Sequence, residues 1–493
     1  MSLPLLSSLV FCPLLGSLII LFIPKEKTAA IKAVSLFITA VFFLLSIFLT
    51  LNFHPANTAM QFEENVLWIP QMNVNYHLGI DGLSIGLIFL TGLLSFLACI
   101  SSVCDIKTRC KEYFFLYLLL ITGMAGTFVA LDLFLFYVFW ELVLVPMYFL
   151  IGIWGGARRE YAAIKFFLYT LAGSVFMLLG ILALYFNSPV HTFDIMELAK
   201  ITGTFTIGLQ ILIFIAFYLG FAVKVPIFPF HTWLPDAHVE APTPISVLLA
   251  GVLLKMGAYG FLRISFPLLK DAAHYFAFPL AVLGTINILY GAFVAMAQTD
   301  FKKMVAYSSV SHMGFVLLGF ASMTVSGFNG AILQMFNHGI ITGAMFFLVG
   351  VIYNRAHTRD LDKFGGLGAK MPVYAGFLSL FTFASLGLPG LSGFVGEFLS
   401  LLGSFYSYRT VTMISSIGLV ITAGYSLYML QRMLLGTFNE KWSGIIDMKK
   451  TEIITLVPLM IITVVIGVYP LSILQYQSKA VLELIGRISG VIQ

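Results

Sequence analysis

The sequence predicts an all-α polytopic membrane protein with about fourteen transmembrane helices, two of them broken. Three observations predict it. Of 493 residues, 60% are hydrophobic and only 10% charged, and the mean hydropathy is +0.99. A soluble domain of that composition could not cover its apolar surface. Apolar runs of about 20 residues recur along the chain, the length that crosses ~30 Å of hydrocarbon as a helix. Nothing alternates as barrel strands do, so the backbone must satisfy its own hydrogen bonds inside helices. Finally, two of the runs are interrupted by proline and glycine, five runs apart.

Taken in order, hydropathy places the spans at 3–23, 29–52, 79–103, 113–131, 133–153, 161–186, 208–229, 243–266, 275–297, 303–323, 326–353, 372–405, 411–436 and 452–474. The first run has no basic start and no small-residue cleavage site, so it is read as a span rather than a removable signal. The longest polar link, 53–78, carries Glu63 and Glu64 without a lysine or arginine, and no soluble domain is expected. Alternate links hold 17 basic residues: Lys25, Lys27, Lys32, Lys107, Arg109, Lys111, Arg158, Arg159, Lys302, Lys303, Arg355, Arg359, Lys363, Lys370, Lys441, Lys449 and Lys450. The other links and the C-terminal tail hold 5, namely Lys200, Lys270, Arg409, Lys479 and Arg487. The positive-inside rule puts the first set in the cytoplasm and both termini outside. The net charge of +5 reflects these loops, not a polyanionic partner, so no nucleic acid is expected. Among the basic residues inside spans, Lys165, Arg263 and Arg432 lie near span ends, where snorkelling accounts for them. Cys12, Cys99, Cys104 and Cys110 form no CxxC pair, so neither a zinc site, an iron–sulfur cluster nor a disulfide framework is expected.

The seventh and eighth spans organise the rest. In Gly220–Gly257, GFAVKVPIFPFHTWLPDAHVEAPTPISVLLAGVLLKMG, an apolar helix reaches Lys224 and then meets Pro226 and Pro229. Proline removes a backbone donor and clashes with the preceding turn, so the helix must be interrupted there. The next run carries Lys255 about 12 residues in, or roughly 18 Å, close to the bilayer centre. A lysine at that depth costs about 2.5–3.5 kcal/mol on insertion scales and therefore needs a partner, water or a task. Lys224 lies close enough to the interruption that snorkelling is a fair alternative; Lys255 does not. The second interruption is Leu386–Phe398, LGLPGLSGFVGEF, where Pro389 and four glycines precede Glu397. An offset of five spans reverses direction across the membrane, as in an inverted repeat, and maps Glu141 of the fifth span onto His312 of the tenth.

Few other ionisable groups lie deep. Glu141, in LFYVFWELVLVPMYFLIGIWGG, is about nine residues from the outer end of its span, and His312 and His338 are each about ten to twelve residues into theirs, a depth shared with Lys255 at ~1.5 Å per residue. A single buried histidine is usually a satisfied core residue. Glutamate, lysine and two histidines at one depth, joined by Lys224 and Glu397 at the interruptions, are what a membrane proton path requires. A metal reading of His312 and His338 is weak, because they sit on different spans without ligand spacing. Asp81, opening the third span, reads as a cap or loop anchor. His231, Asp236, His238 and Glu240 follow the first interruption and form either a proton intake or a solvated turn. There is no P-loop, and the glycines at 365–368 follow no strand, so neither an ATP drive nor a dinucleotide site is expected. The drive must come from a partner or from another ion gradient.

FWELVLVPMYFLIGIWGG, KVPIFPFHTWLPDAHVEAPTPISVLLAGVLLKMGAYG, QTDFKKMVAYSSVSHMGF, NHGIITGAMFFLVGVIYNRAHTRDLDKFGGL and GLPGLSGFVGEF closely resemble the antiporter-like subunit M family of NADH-quinone oxidoreductase, respiratory complex I, whose mitochondrial counterpart is NADH dehydrogenase subunit 4. The resemblance covers nearly the whole chain. It implies fourteen helices in two inverted five-helix repeats: helices 1–3 in 1–112, the first repeat in 113–266, the second in 267–436, and helix 14 with the tail in 437–493. It implies a proton channel driven by quinone reduction elsewhere in the complex, so that the chain is a subunit of an enzyme without a redox centre of its own. NADH, FMN, iron–sulfur clusters and quinone are expected in partner subunits. Antiporter-like subunits L and N are expected neighbours, in a bacterial inner membrane. The resemblance further implies that Glu141 partners Lys224, that Lys255 is the central lysine, that His312 and His338 lead onward, and that Glu397 is the terminal group at the outer side. Lysine is usual at that last position in L and N, and L also has a long lateral helix for which this chain has no room. Two other readings compete: a subunit of an Mrp-type sodium/proton antiporter, which Glu397 and the match around Asn337–Leu367 count against, and a structural subunit whose charges only hold helices together.

Overall fold

The computed structural model describes residues 4–490; Leu3, where the first span was expected to begin, lies outside them. The chain is a mostly helical membrane protein, and thirteen helices among the described residues are long and apolar enough to cross a bilayer. They are Leu5–Phe22, Thr28–Asn52, Ile85–Asp105, Cys110–Val129, Leu133–Trp154, Arg159–Asn187, Ile207–Lys224, Thr243–Leu268, Lys270–Met296, Phe301–Ala321, Val325–Ala356, Arg409–Leu434 and Lys450–Val468. The span missing from this set is the twelfth. Its Pro389 and glycines divide it into Pro372–Ser385 and Ser392–Ser407, each too short to cross alone. Counting the divided span, the architecture has the expected fourteen. Gly387 and Gly390 take φ of 80° and 92° in the interruption, a region closed to most side chains, which is why glycine stands there.

Two regions depart from the spans and links expected from the sequence. The 53–78 link folds as an antiparallel hairpin, β1 (Gln61–Ile69) and β2 (Val74–Ile80), turned through Asn73 at φ 50°. The third span therefore starts at Ile85, later than hydropathy placed it. Glu64 on β1 accepts hydrogen bonds from the amides of Leu6 and Ser7, capping the first helix from across the chain. At the other end, the last span stops at Val468 before Pro470, and the tail forms a further amphipathic helix, Leu471–Ile488.

The chain divides into two compact units. One comprises Met1–Val225, Val252–Ala277 and Gln475–Gln493; the other comprises Pro226–Gly251 and Phe278–Leu474. In the first unit, Arg263 corrects the snorkelling expectation. It is buried, donates to Asp81 through Nη2, and donates through Nε to the Tyr259 hydroxyl at 3.0 Å. Hydropathy measured its distance to a span end and could not see its partner. Asp81 meanwhile accepts from the Leu83 amide at 2.9 Å, the anchoring role expected of it. Asp81→Ala leaves a buried guanidinium uncompensated, a change that costs about 3–5 kcal/mol. The expected outcome is a lower thermal midpoint and lower yield of assembled protein, with partial recovery in an Asp81→Leu/Arg263→Leu double variant.

In the second unit, Arg432 lies half-exposed, 3.4 Å from Asp362, in keeping with a side chain reaching for the membrane surface.

Candidate functional site

In the first unit the site is built on the helices Leu133–Trp154 and Ile207–Lys224 and on the part of Thr243–Leu268 from Val252 onward. Lys224 is the last residue of its helix and is only 2% exposed, so it does not snorkel. Its Nζ lies 5.2 Å from the Trp140 ring centroid and 5.8 Å from that of Phe166, an aromatic enclosure for a cation. Nζ has no hydrogen-bond partner among the described residues; the charge acting on it is Glu141, one residue beyond Trp140. Glu141 itself is half-buried. Lys255 is 0% exposed. The turns on both sides of it, Leu249–Leu253 and Phe261–Ser265, are π-helical, a local widening that recurs at functional positions. Gly257 makes the close approach possible: a Cβ there would come within 2.8 Å of the Phe221 carbonyl oxygen and 2.9 Å of the Lys224 Cβ. The two lysine-bearing helices thus touch beside Lys224.

In the second unit, His312 bridges two elements of the divided span. Its Nδ1 lies 2.8 Å from Glu397 Oε1 and its Nε2 3.1 Å from Ser385 Oγ, on either side of the interruption. Gln334 donates to the same Glu397 oxygen at 3.1 Å. The His338 ring is 5.7 Å from that of His312, centroid to centroid. Glu397 is 3% exposed, and its Oε2 sits against Gly387. Asn337 donates to the Ser392 carbonyl at 2.6 Å, holding the start of the second half-helix. Hence Glu141 and Lys224 come together in one unit, beside the Lys255 helix, and His312, His338 and Glu397 in the other.

The four residues after the first interruption do not form a solvated turn. His231 is buried against Phe228 and Tyr290, and His238 is buried with its ring stacked 4.5 Å from Phe346. They belong to a packed segment whose helix, Trp233–Glu240, is held at its end by Lys302 and Arg359. Lys302 donates to the Ala241 carbonyl at 2.6 Å and Arg359 to that of Val239 at 2.9 Å. Sequence reasoning also missed Asn287, which accepts from the Phe228 amide at 2.8 Å and donates to the Pro226 carbonyl at 3.1 Å. It repairs the backbone groups that the prolines strand. A single amide in the middle of the apolar ninth run was the available signal.

Residues 130–422, which hold all six groups, match the family described as NADH:quinone oxidoreductase/Mrp antiporter, TM. NADH-quinone oxidoreductase subunit M of Rhodobacter capsulatus is 46% identical over 482 residues, covering 94% of this chain and 93% of that protein. The chain belongs to the subunit M family of NADH-quinone oxidoreductase. A chain of respiratory complex I from Thermus thermophilus has the same fold, with a TM-score of 0.88 and 30% identity over 98% of this chain and all of that one. A chain of the Mrp complex from Dietzia sp. DQ12-45-1b superposes with a TM-score of 0.86 at 20% identity, covering both chains in full; that likeness is one of fold. As a subunit M family member, the chain is a multi-pass, proton-translocating membrane subunit of a respiratory NADH-quinone oxidoreductase.

Proposed function

We propose that Glu141, Lys224, Lys255, His312, His338 and Glu397 carry protons across the membrane, driven by quinone reduction in partner subunits. The observation that carries this reading is that each helix interruption adjoins a titratable cluster: Lys224 stands at the first, and Glu397 with His312 flanks the second. A relay group must change how firmly it holds its proton, and a neighbouring charge is what changes it. Glu141 and Lys224 interact through Coulomb attraction, so a displacement of either alters the other. His312 can accept at one nitrogen and donate at the other, between Glu397 and Ser385. Gln334 Oε1, Asn337 Oδ1, Ser392 Oγ and Ser400 Oγ are buried in the same region without a protein partner among the described residues. Buried polar atoms of this kind are the ones ordered water satisfies, and water completes a relay.

In this reading NADH, FMN, iron–sulfur clusters and quinone belong to partner subunits, and antiporter-like subunits L and N are the neighbours. The excess of basic residues in alternate links supports periplasmic termini in a bacterial inner membrane. An Mrp-type antiporter subunit shares the fold, but the 46% identity to a subunit M chain and the glutamate at 397 favour the oxidoreductase.

Glu397 supplies the test. Glu397→Gln keeps the shape and the contact with Gln334 but cannot titrate. It is expected to cut NADH-driven proton translocation in vesicles by about tenfold or more, normalised to assembled complex; positioned proton-transfer groups contribute up to ~10²–10⁴-fold. Glu397→Lys restores a titratable group and is expected to retain more activity than glutamine. Undiminished pumping by the glutamine variant would make Glu397 a packing residue.

A further inference from the structure

The two repeats contain the same small device, and its two copies differ in one respect. In the second unit Asp300 caps the helix Phe301–Ala321 through the amides of Lys302 and Lys303, and pairs in a short antiparallel bridge with Asp360. The Phe301 amide donates to the Arg359 carbonyl at 2.9 Å, and the Leu361 amide to that of Thr299 at 2.8 Å. In the first unit Asp132 caps the helix Leu133–Trp154 through the amides of Phe134 and Leu135, and bridges Asp194. The Leu133 amide donates to the Phe193 carbonyl and the Ile195 amide to that of Leu131, both at 2.8 Å. Each bridge sets two carboxylates side by side, so each needs a cation. The second unit uses permanent ones: Arg359 Nε is 3.2 Å from Asp300, and Lys363 Nζ is 3.6 Å from Asp360. The first unit uses a histidine. His77 on β2 places Nδ1 2.6 Å from Asp194 and Nε2 2.9 Å from Glu63.

We infer that His77 is a positioning residue whose protonation latches the helix carrying Glu141, acting through Asp194 and Asp132. The inference rests on the reading of Glu141 given above. Asp132 sits nine residues before Glu141, about 13 Å along the helix. Its Oδ2 also accepts from the Asn75 amide at 3.0 Å, which ties β2 to the same helix end. With His77 charged, the cation offsets Asp194, Glu63 and the nearby Asp132. With His77 neutral, the ring can donate to only one of Asp194 and Glu63, and Asp194 stands beside Asp132 with no cation bonded to either. The remaining charged groups lining this cleft are Glu197 with Lys200 and Glu483 with Arg487, and each pair is internally neutralised.

The direction of the switch follows from the same contacts. Burial works against the charge on His77, but the bonds and attraction from Asp194 and then Glu63 outweigh it and raise its pKa above the ordinary histidine value. The stabilisation is therefore complete below about pH 6.5 and is lost as pH rises through the raised value. Asp132 acts in the same sense lower down. Burial, followed at a distance by Asp194, lifts it to about 6 against its backbone hydrogen bonds, so acid relieves the repulsion there too. Acidity tightens the latch and alkalinity loosens it.

The test uses the assembled complex in lipid nanodiscs. Hydrogen-exchange protection of the Phe134 and Leu135 amides, corrected for intrinsic base catalysis, is followed from about pH 6 to about pH 9. Wild-type protection is expected to fall roughly three- to tenfold in a main step above the ordinary histidine range, beyond the smaller change from Asp132 near the acid end of the window. His77→Gln is expected to remove the step and hold protection at the low level. Asp194→Asn, which keeps a capping oxygen, is expected to remove it as well. Glu63→Gln, at a half-exposed residue, should move the step to lower pH without abolishing it. The alkaline limb of the pumping profile is expected to move with the step in each variant. A wild-type protein without a step, a step unchanged in His77→Gln, or, if that variant does not assemble, a step unmoved in Glu63→Gln overturns the proposal. The exchange step does not depend on pumping: normal pumping by Glu141→Ala with the step intact defeats the reading of Glu141 and leaves the latch standing.

Discussion

Glu141→Ala is expected to assemble but to lose most quinone-coupled proton pumping. Glu141 is half-buried, so truncating it removes little packing, and a stability loss comparable to that of a core residue is not expected. What it removes is the charge acting on Lys224, whose Nζ has aromatic rings about it and no hydrogen-bond acceptor among the described residues. The pumping rate per assembled complex should fall by about tenfold or more, short of the ~10²–10⁴-fold that a positioned proton-transfer group can contribute. Glu141→Asp keeps the charge one methylene further from Lys224 and should retain part of the activity. Wild-type pumping by an assembled alanine variant would sink the role.

Lys255 gives the second large effect, and here the conservative variant is the more telling one. A lysine can give up its proton, whereas arginine keeps its charge under all physiological conditions. If Lys255 must carry a proton, Lys255→Arg should pump no better than Lys255→Ala, each reduced roughly tenfold or more. If only a positive charge is needed, arginine should rescue. The assay is NADH-driven acidification in vesicles, scaled to assembled complex. Arginine is larger, so assembly is checked by native electrophoresis, and activity in the arginine variant at wild-type level would end the proton-carrying assignment.

The parts legible in the sequence were those with a local chemical signal. Pro226, Pro229 and Pro389 announce interruptions wherever they fall in an apolar run, and the charges at 141, 224, 255 and 397 stand out from such runs because burying them is costly. Pairings across the fold were not legible. His312 and Glu397 are 85 positions apart, and only the folded chain brings Nδ1 to Oε1. Arg263 looked like a span-end residue because hydropathy registers depth rather than partners; Asp81 is 182 positions away. The hairpin was hidden for a different reason. Its strands pair with two register irregularities, so neither shows the regular alternation that marks a strand in sequence. The tail helix was hidden because the apolar run continues through Pro470 into Leu471 and Leu474, which blurs two helices into one run. The π turns beside Lys255 have no composition of their own and could not be anticipated.

The two interruptions also decide which sign of charge each can hold. A helix that stops inside a membrane leaves its terminal peptide groups unpaired, so its carbonyl end behaves as about half a negative charge and its amide end as about half a positive one. Lys224 is the last residue of Ile207–Lys224, at a carbonyl end. Glu397 is on the second turn of Ser392–Ser407, and helical side chains lean toward the amide end, which brings its carboxylate back against Gly387. The cation thus stands at the end that attracts cations, and the acid leans toward the end that attracts anions. Macrodipole matching of this kind is worth about 0.3–1 kcal/mol in water and up to ~2 kcal/mol where partly buried. It limits what Glu397→Lys can recover, since a lysine there works against the amide end. It also means that exchanging the two residues would place each charge at the less favourable pole, so the polarity of the two broken helices favours an amine at one interruption and a carboxyl at the other.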